Sequence, residues 1–115
     1  METLTVPKEK LAAHYHNTYD RAIENLLISM HYGISVMDSS VAGLGGCPYA
    51  EGASGNVPTE DVLMMCEILG LNTGVNLEEV ITLGKYLINE LGYEKRTSVE
   101  YDDLEKMEYF RNLLI

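Results

Sequence analysis

SSVAGLGGCPYAEGASGN, from Ser39 to Asn56, is the most informative stretch of the chain. It carries glycines at positions 43, 45, 46, 52 and 55. Glycine reaches positive φ freely and admits close neighbours, but it loses more entropy than other residues on ordering. A connection this long without secondary structure of its own is commonly functional. Val41, Leu44, Pro48 and Tyr49, with Glu51 as the one charge, argue against a disordered tract. Cys47 sits at its middle, between Gly46 and Pro48. The stretch reads as a substrate-covering loop that presents a thiol.

Immediately upstream, Ile34–Asp38 reads as a strand with Ile34, Val36 and Met37 buried, ending at Asp38-Ser39-Ser40. Asp38 has two readings there, a turn-capping carboxylate or a partner for a histidine N–H. Further upstream, Tyr19–His31 is amphipathic, with Ala22, Ile23, Leu26, Leu27 and Met30 on one face and Asn17-Thr18 as its cap. Before it, Lys10–His16 (KLAAHYH) reads as a short buried strand. The period of two puts Leu11 and Ala13 on one side and Ala12, His14 and His16 on the other. Two histidines at i and i+2 share a face and can reach one metal ion, although H-x-H also recurs by chance. These two end a strand that leads into a helix, which is where α/β barrels place their chemistry.

Downstream, Pro58-Thr59-Glu60-Asp61 opens a helix that runs to about Leu69 and stops at Gly70. Cys66 lies inside it beside Met65 and Leu69 and reads as inert core. Thr73–Val75 reads as a brief strand. Asn76 caps a helix over Leu77–Leu91 with Val80, Ile81, Leu83, Leu87 and Ile88 inward, and Gly92 ends it. Residues 93–115 read as a polar connector and one more helix, with Leu104, Met107, Phe110 and Leu114 spaced for packing. Short strands and helices alternate along the chain.

The 115 residues are 46% hydrophobic and 23% charged, with no apolar run long enough to span a bilayer. A formal net charge of −10 argues against nucleic acid, which needs clustered Lys and Arg. Two cysteines make no disulfide framework, no secretory or transit segment is readable, and the chain reads as intracellular.

The motif GLGGCPYAxGASGN, preceded by DSSVA, resembles the active-site loop of 3-hydroxy-3-methylglutaryl-CoA lyases. The resemblance runs from about Leu4 to about Gly84. It implies a (β/α)8 barrel, which needs roughly 200 residues or more to close. This chain can supply about its last third. On that reading, residues 1–92 are a partial lyase-like barrel domain and 93–115 an appended connector and helix. Met1–Pro7 matches the end of a helix within that domain, so the chain reads as a fragment, a truncated product or one piece of a split protein.

The chemistry implied is cleavage of 3-hydroxy-3-methylglutaryl-CoA to acetyl-CoA and acetoacetate with a divalent cation, Mg2+ or Mn2+. By resemblance His14, His16 and Asn56 ligate the metal, and Gly43, Gly45 and Gly46 form the substrate loop. Asp38 and Asn17 stand behind the ligands. Cys47 is the acid that protonates the enolate carbon, and His14 doubles as a base. The implied partners are an acyl-CoA substrate and either further copies of the chain or another chain completing the barrel. No nucleic acid and no membrane are expected. The implied compartment is the mitochondrial matrix in a eukaryote and the cytoplasm in a bacterium.

Two departures from the family pattern stand out. The family's first barrel strand supplies an Asp ligand beside an Arg, and no such strand is readable here. The lyase pattern HCHDT is HYHNT in this chain, and the Asn is the residue that follows H-x-H in isopropylmalate and homocitrate synthases. An alternative reading is therefore a non-catalytic paralogue or split-enzyme fragment that acts by pairing with another chain.

Overall fold

The computed structural model describes residues 6–17, 21–45 and 55–92. In chain order the elements are β1 (Ala12–His14), α1 (Ala22–His31), β2 (Val36–Asp38), α2 (Thr59–Ile68) and α3 (Leu77–Leu91). Single 3-10 turns at Lys8–Lys10 and Val41–Gly43 flank the strands. β1 and β2 pair in parallel, with Ala12 opposite Val36, Ala13 opposite Met37 and His14 opposite Asp38. Parallel neighbours need a crossover, and α1 provides it. The α/β class that the resemblance implies holds.

Both connections out of α1 and α2 are set by glycine. At Gly33 (φ +92) the amides of Gly33 and Ile34 return to the carbonyls of Met30 and Ser29. At Gly70 (φ +75) those of Gly70 and Leu71 return to Glu67 and Cys66. Each pair closes a Schellman motif and satisfies carbonyls that the helix end would orphan. α3 is bounded as its sequence predicts: the Asn76 side chain accepts from the Glu79 amide at 3.0 Å, and Gly92 ends it in the left-handed region.

The core lies where α2 packs between α1 and α3. α2 is buried from Glu60 through Cys66, including two acidic residues in its first turn, where the positive end of the helix dipole favours them. Leu26 of α1 and Met65 of α2 are fully enclosed. Burial of each is worth about 1.5–3 kcal/mol. Tyr15 ties the strand to α1 through its hydroxyl, 2.6 Å from the buried Ser29 Oγ.

Four expectations are corrected. The first strand is three residues long and buried only at Ala13, because one face of the pair is uncovered among the described residues. Val36 is half exposed for the same reason. Thr73–Val75 is no strand: the Asn72 side chain accepts from Gly74 N and Thr73 Oγ1 from Val75 N, and these local bonds turn the backbone instead. Leu83 points outward, because α3 turns the Leu77–Ile81–Gly84 stripe to the core. The expected helix within 93–115 lies outside the described residues.

Candidate active site

The parallel register sets the site. It places the last residue of β1, His14, beside the last residue of β2, Asp38, with Nδ1 3.3 Å from Oδ2. The side chains are 56% and 55% exposed, so their attraction is largely screened and adds little stability. The contact does orient the ring. With Nδ1 facing a carboxylate, Nε2 is the nitrogen left for a metal or a proton, the arrangement common behind metal-bound imidazoles. His16 follows on the same face, its ring centroid 5.7 Å from that of His14.

Asn56 meets His16 through backbone pairing. Asn17 N donates to Gly55 O at 3.1 Å and Val57 N to Tyr15 O at 3.3 Å, forming an antiparallel bridge centred on His16 and Asn56. This is the pair without direct hydrogen bonds between its members, where Cα atoms stand about 4.5 Å apart and side chains lie closest. The Asn56 amide is fixed in sense as well as place. Nδ2 donates to Leu44 O at 3.1 Å, and a carbonyl only accepts, so the oxygen must face the other way. There Oδ1 is buried and, among the described residues, has no hydrogen-bond partner.

The glycine stretch supports that amide. Gly43 is buried in a left-handed turn (φ +68), its amide donating to Ser40 O. At Gly45 (φ +94) a Cβ would stand 2.9 Å from Asn56 Nδ2, so no side chain fits there while the amide holds its place. Asn17 accepts the Ala22 amide on Oδ1 at 3.3 Å, while the N-cap position of α1 itself is Arg21. Gly46 and Cys47 lie outside the described residues.

Two imidazoles and an orphaned amide oxygen fit part of a divalent-cation site. Among the described residues no three of His, Cys, Asp or Glu gather to hold a metal. Cys66, the other cysteine, is a free buried thiol in α2, and burial pushes its pKa above the ordinary 9.0.

One residue of the site region escaped sequence reasoning. Glu60 reads as an ordinary acid in a first helical turn, yet it is 1% exposed and accepts the Ala42 N–H, at 2.9 Å to Oε1 and 3.2 Å to Oε2. The signal was Gly84: glycine inside a helix costs about 1 kcal/mol against alanine and marks a close approach.

The HMGL-like family model matches residues 1–87. The chain belongs to that family. Among HMGL-like relatives, the mitochondrial hydroxymethylglutaryl-CoA lyase of Arabidopsis thaliana is 55% identical over 87 residues, 76% of this chain and 19% of the relative. The crystal structure of the hydroxymethylglutaryl-CoA lyase from Pseudomonas aeruginosa superposes with a TM-score of 0.76 at 47% identity, over 81% of this chain and 31% of that one. An HMG-CoA lyase from Acinetobacter baumannii, solved with coenzyme A and 3-methylmalate, gives 0.76 at 37% identity over 86% of this chain and 34% of its own. The chain spans about a fifth to a third of the length of these HMGL-like proteins. Among its described residues no helix is long and apolar enough to cross a membrane.

Proposed function

We propose that this chain carries the metal-binding and proton-donating part of a hydroxymethylglutaryl-CoA lyase, and that it corresponds to about the last third of a (β/α)8 barrel. The observation behind this reading is the Asn56 amide oxygen. It is buried, has no hydrogen-bond partner among the described residues, and is turned away from Leu44 at the bridge that pairs Asn56 with His16. Burying an acceptor unpaired is costly, and a cation held with His14 and His16 would relieve that cost.

In this reading His14 Nε2, His16 and Asn56 Oδ1 hold Mg2+ or Mn2+. When bound, the cation polarises the hydroxyl and carboxylate oxygens of 3-hydroxy-3-methylglutaryl-CoA. Asp38 keeps the His14 ring in one orientation, and Asn17 steadies the turn between β1 and α1. Because Nδ1 faces Asp38, the His14 ring has one nitrogen for the two roles its sequence suggests. A ligating Nε2 cannot accept the hydroxyl proton at the same time, so a different base takes it. Loss of that proton breaks the carbon–carbon bond, releasing acetoacetate and leaving the electron pair on the acetyl-CoA enolate. The Cys47 thiol then donates its proton to that carbon. By resemblance, Gly43, Gly45 and Gly46 belong to the loop that covers the substrate.

The donors described contain no carboxylate on the metal side. That ligand, with an arginine for the enolate, would come from the first strand of a completed barrel. Further sequence, a second copy or another chain would supply it. The compartment in the Arabidopsis relative's name carries over as the expectation for a eukaryotic source.

The test is Mn2+ titration of the full chain, followed by loss of the free-ion electron paramagnetic resonance signal. The chain should bind, and Asn56→Ala should weaken binding by about 10–100-fold. No binding, or binding unchanged in Asn56→Ala, would overturn the assignment of the ligands.

A further inference from the structure

Ala42 is the one non-glycine residue with positive φ among those described (φ 58, ψ 15), and it is 1% exposed. A residue with a Cβ avoids this left-handed conformation unless its surroundings impose it. Both carboxyl oxygens of Glu60 reach the Ala42 N–H. The carboxyl itself lies against the bare backbone of Gly84 in α3: a Cβ there would stand 2.5 Å from Oε2 and 3.6 Å from the Ala42 Cβ. An acid serving only the helix dipole would face solvent. This one is turned inward and wedged between a strained turn and a helix that has given up a side chain to admit it.

Two residues beyond Ala42 the Leu44 carbonyl receives Asn56 Nδ2, and at Gly45 the backbone passes closely over the same nitrogen. The Glu60 carboxyl, the Ala42 turn, the Leu44 carbonyl and the Asn56 amide thus form one chain of contacts ending at Oδ1, which has no hydrogen-bond partner among the described residues. We propose that Glu60 is a positioning residue, which holds the left-handed turn at Ala42 and thereby aims the Asn56 amide oxygen into the site. Its value for metal binding rests on the ligand assignment above.

Two readouts on the full chain test this, one free of metal. The first is the Asn56 side-chain amide resonance in nitrogen-15 spectra, assigned through Asn56→Asp. The second is affinity for Mn2+ alone. Glu60→Ala should move that resonance toward the position of a solvated amide and weaken Mn2+ binding about tenfold, as outer-shell losses do. Adding Ala42→Gly to Glu60→Ala should recover part of both, because glycine takes the turn without a Cβ penalty. A packing role for Glu60 would gain nothing from losing a methyl group. The isosteric Glu60→Gln, which keeps one acceptor oxygen, should shift the resonance less and stands in if Glu60→Ala does not fold. An unmoved Asn56 resonance in a folded Glu60 variant, or no recovery with Ala42→Gly, would overturn the proposal. If the unaltered chain fails to bind Mn2+, the ligand assignment falls while the amide resonance still judges the role of Glu60.

Discussion

His14 and Asp38 are register partners at the ends of two parallel strands, and their side chains meet with Nδ1 3.3 Å from Oδ2. The pair is half exposed, so it orients more than it stabilises. Asp38→Asn should therefore change unfolding free energy by no more than about 0.5 kcal/mol. The same substitution should weaken Mn2+ binding about tenfold, through the lost ring orientation. Urea unfolding and Mn2+ titration of one preparation read both effects.

Gly45→Ala sets a Cβ against the Asn56 amide at a φ that L residues avoid. We expect a loss of about 1–3 kcal/mol in stability from the strain. Displacement of Asn56 should also weaken Mn2+ binding. Gly70→Ala is the control: it meets the same backbone penalty with nothing within 4 Å of the new methyl, so Mn2+ binding should be unchanged.

The buried Cys66 thiol gives a pH signature. Its pKa is raised in the folded chain by desolvation, so the unfolded chain gives up this proton first as pH rises. The unfolded state then binds fewer protons than the native one, and stability must fall with rising pH. The contribution is fully present below pH 9.0, the ordinary value, and is lost as pH rises from there through the folded pKa. Denaturant unfolding at a series of alkaline pH values should show a steeper decline for the native chain than for Cys66→Ala.

Cys47 should separate chemistry from binding. Wherever the chain sits in a completed barrel, Cys47→Ala should lower release of acetyl-CoA from 3-hydroxy-3-methylglutaryl-CoA by about 100-fold or more, as loss of a proton donor does. Mn2+ affinity should not change, since the thiol is no ligand in this reading. A parallel loss of Mn2+ affinity would move Cys47 into the metal site.

How much of this was legible in the sequence depended on how local each determinant is. α3 could be bounded from Asn76 to Gly92 because caps are made by residues within one turn of the helix end. The Thr73–Val75 reading failed for a related reason: a β-branched pattern lost to the side-chain turns of Asn72 and Thr73, which were present in the sequence but weighed too little. Val36 and Leu83 were misjudged because burial depends on what covers an element, and periodicity reports only which residues share a face. His14, His16 and Asn56 were picked out by motif, whereas the register that sets His14 against Asp38 is a long-range pairing that no local pattern encodes. Glu60 was missed because an acid in a first turn reads the same whether it faces water or a neighbouring loop.

His16 and Asn56 pair directly although roughly 40 residues of chain separate them, a loop whose closure costs entropy that grows with the logarithm of its length. An ion gripped by both residues would act as a removable staple across that loop. Its concentration would then set the melting temperature as well as the rate, because whatever binds only the folded form stabilises it by mass action. The thermal stability of this small α/β unit would thus become a gauge of how much free cation surrounds it.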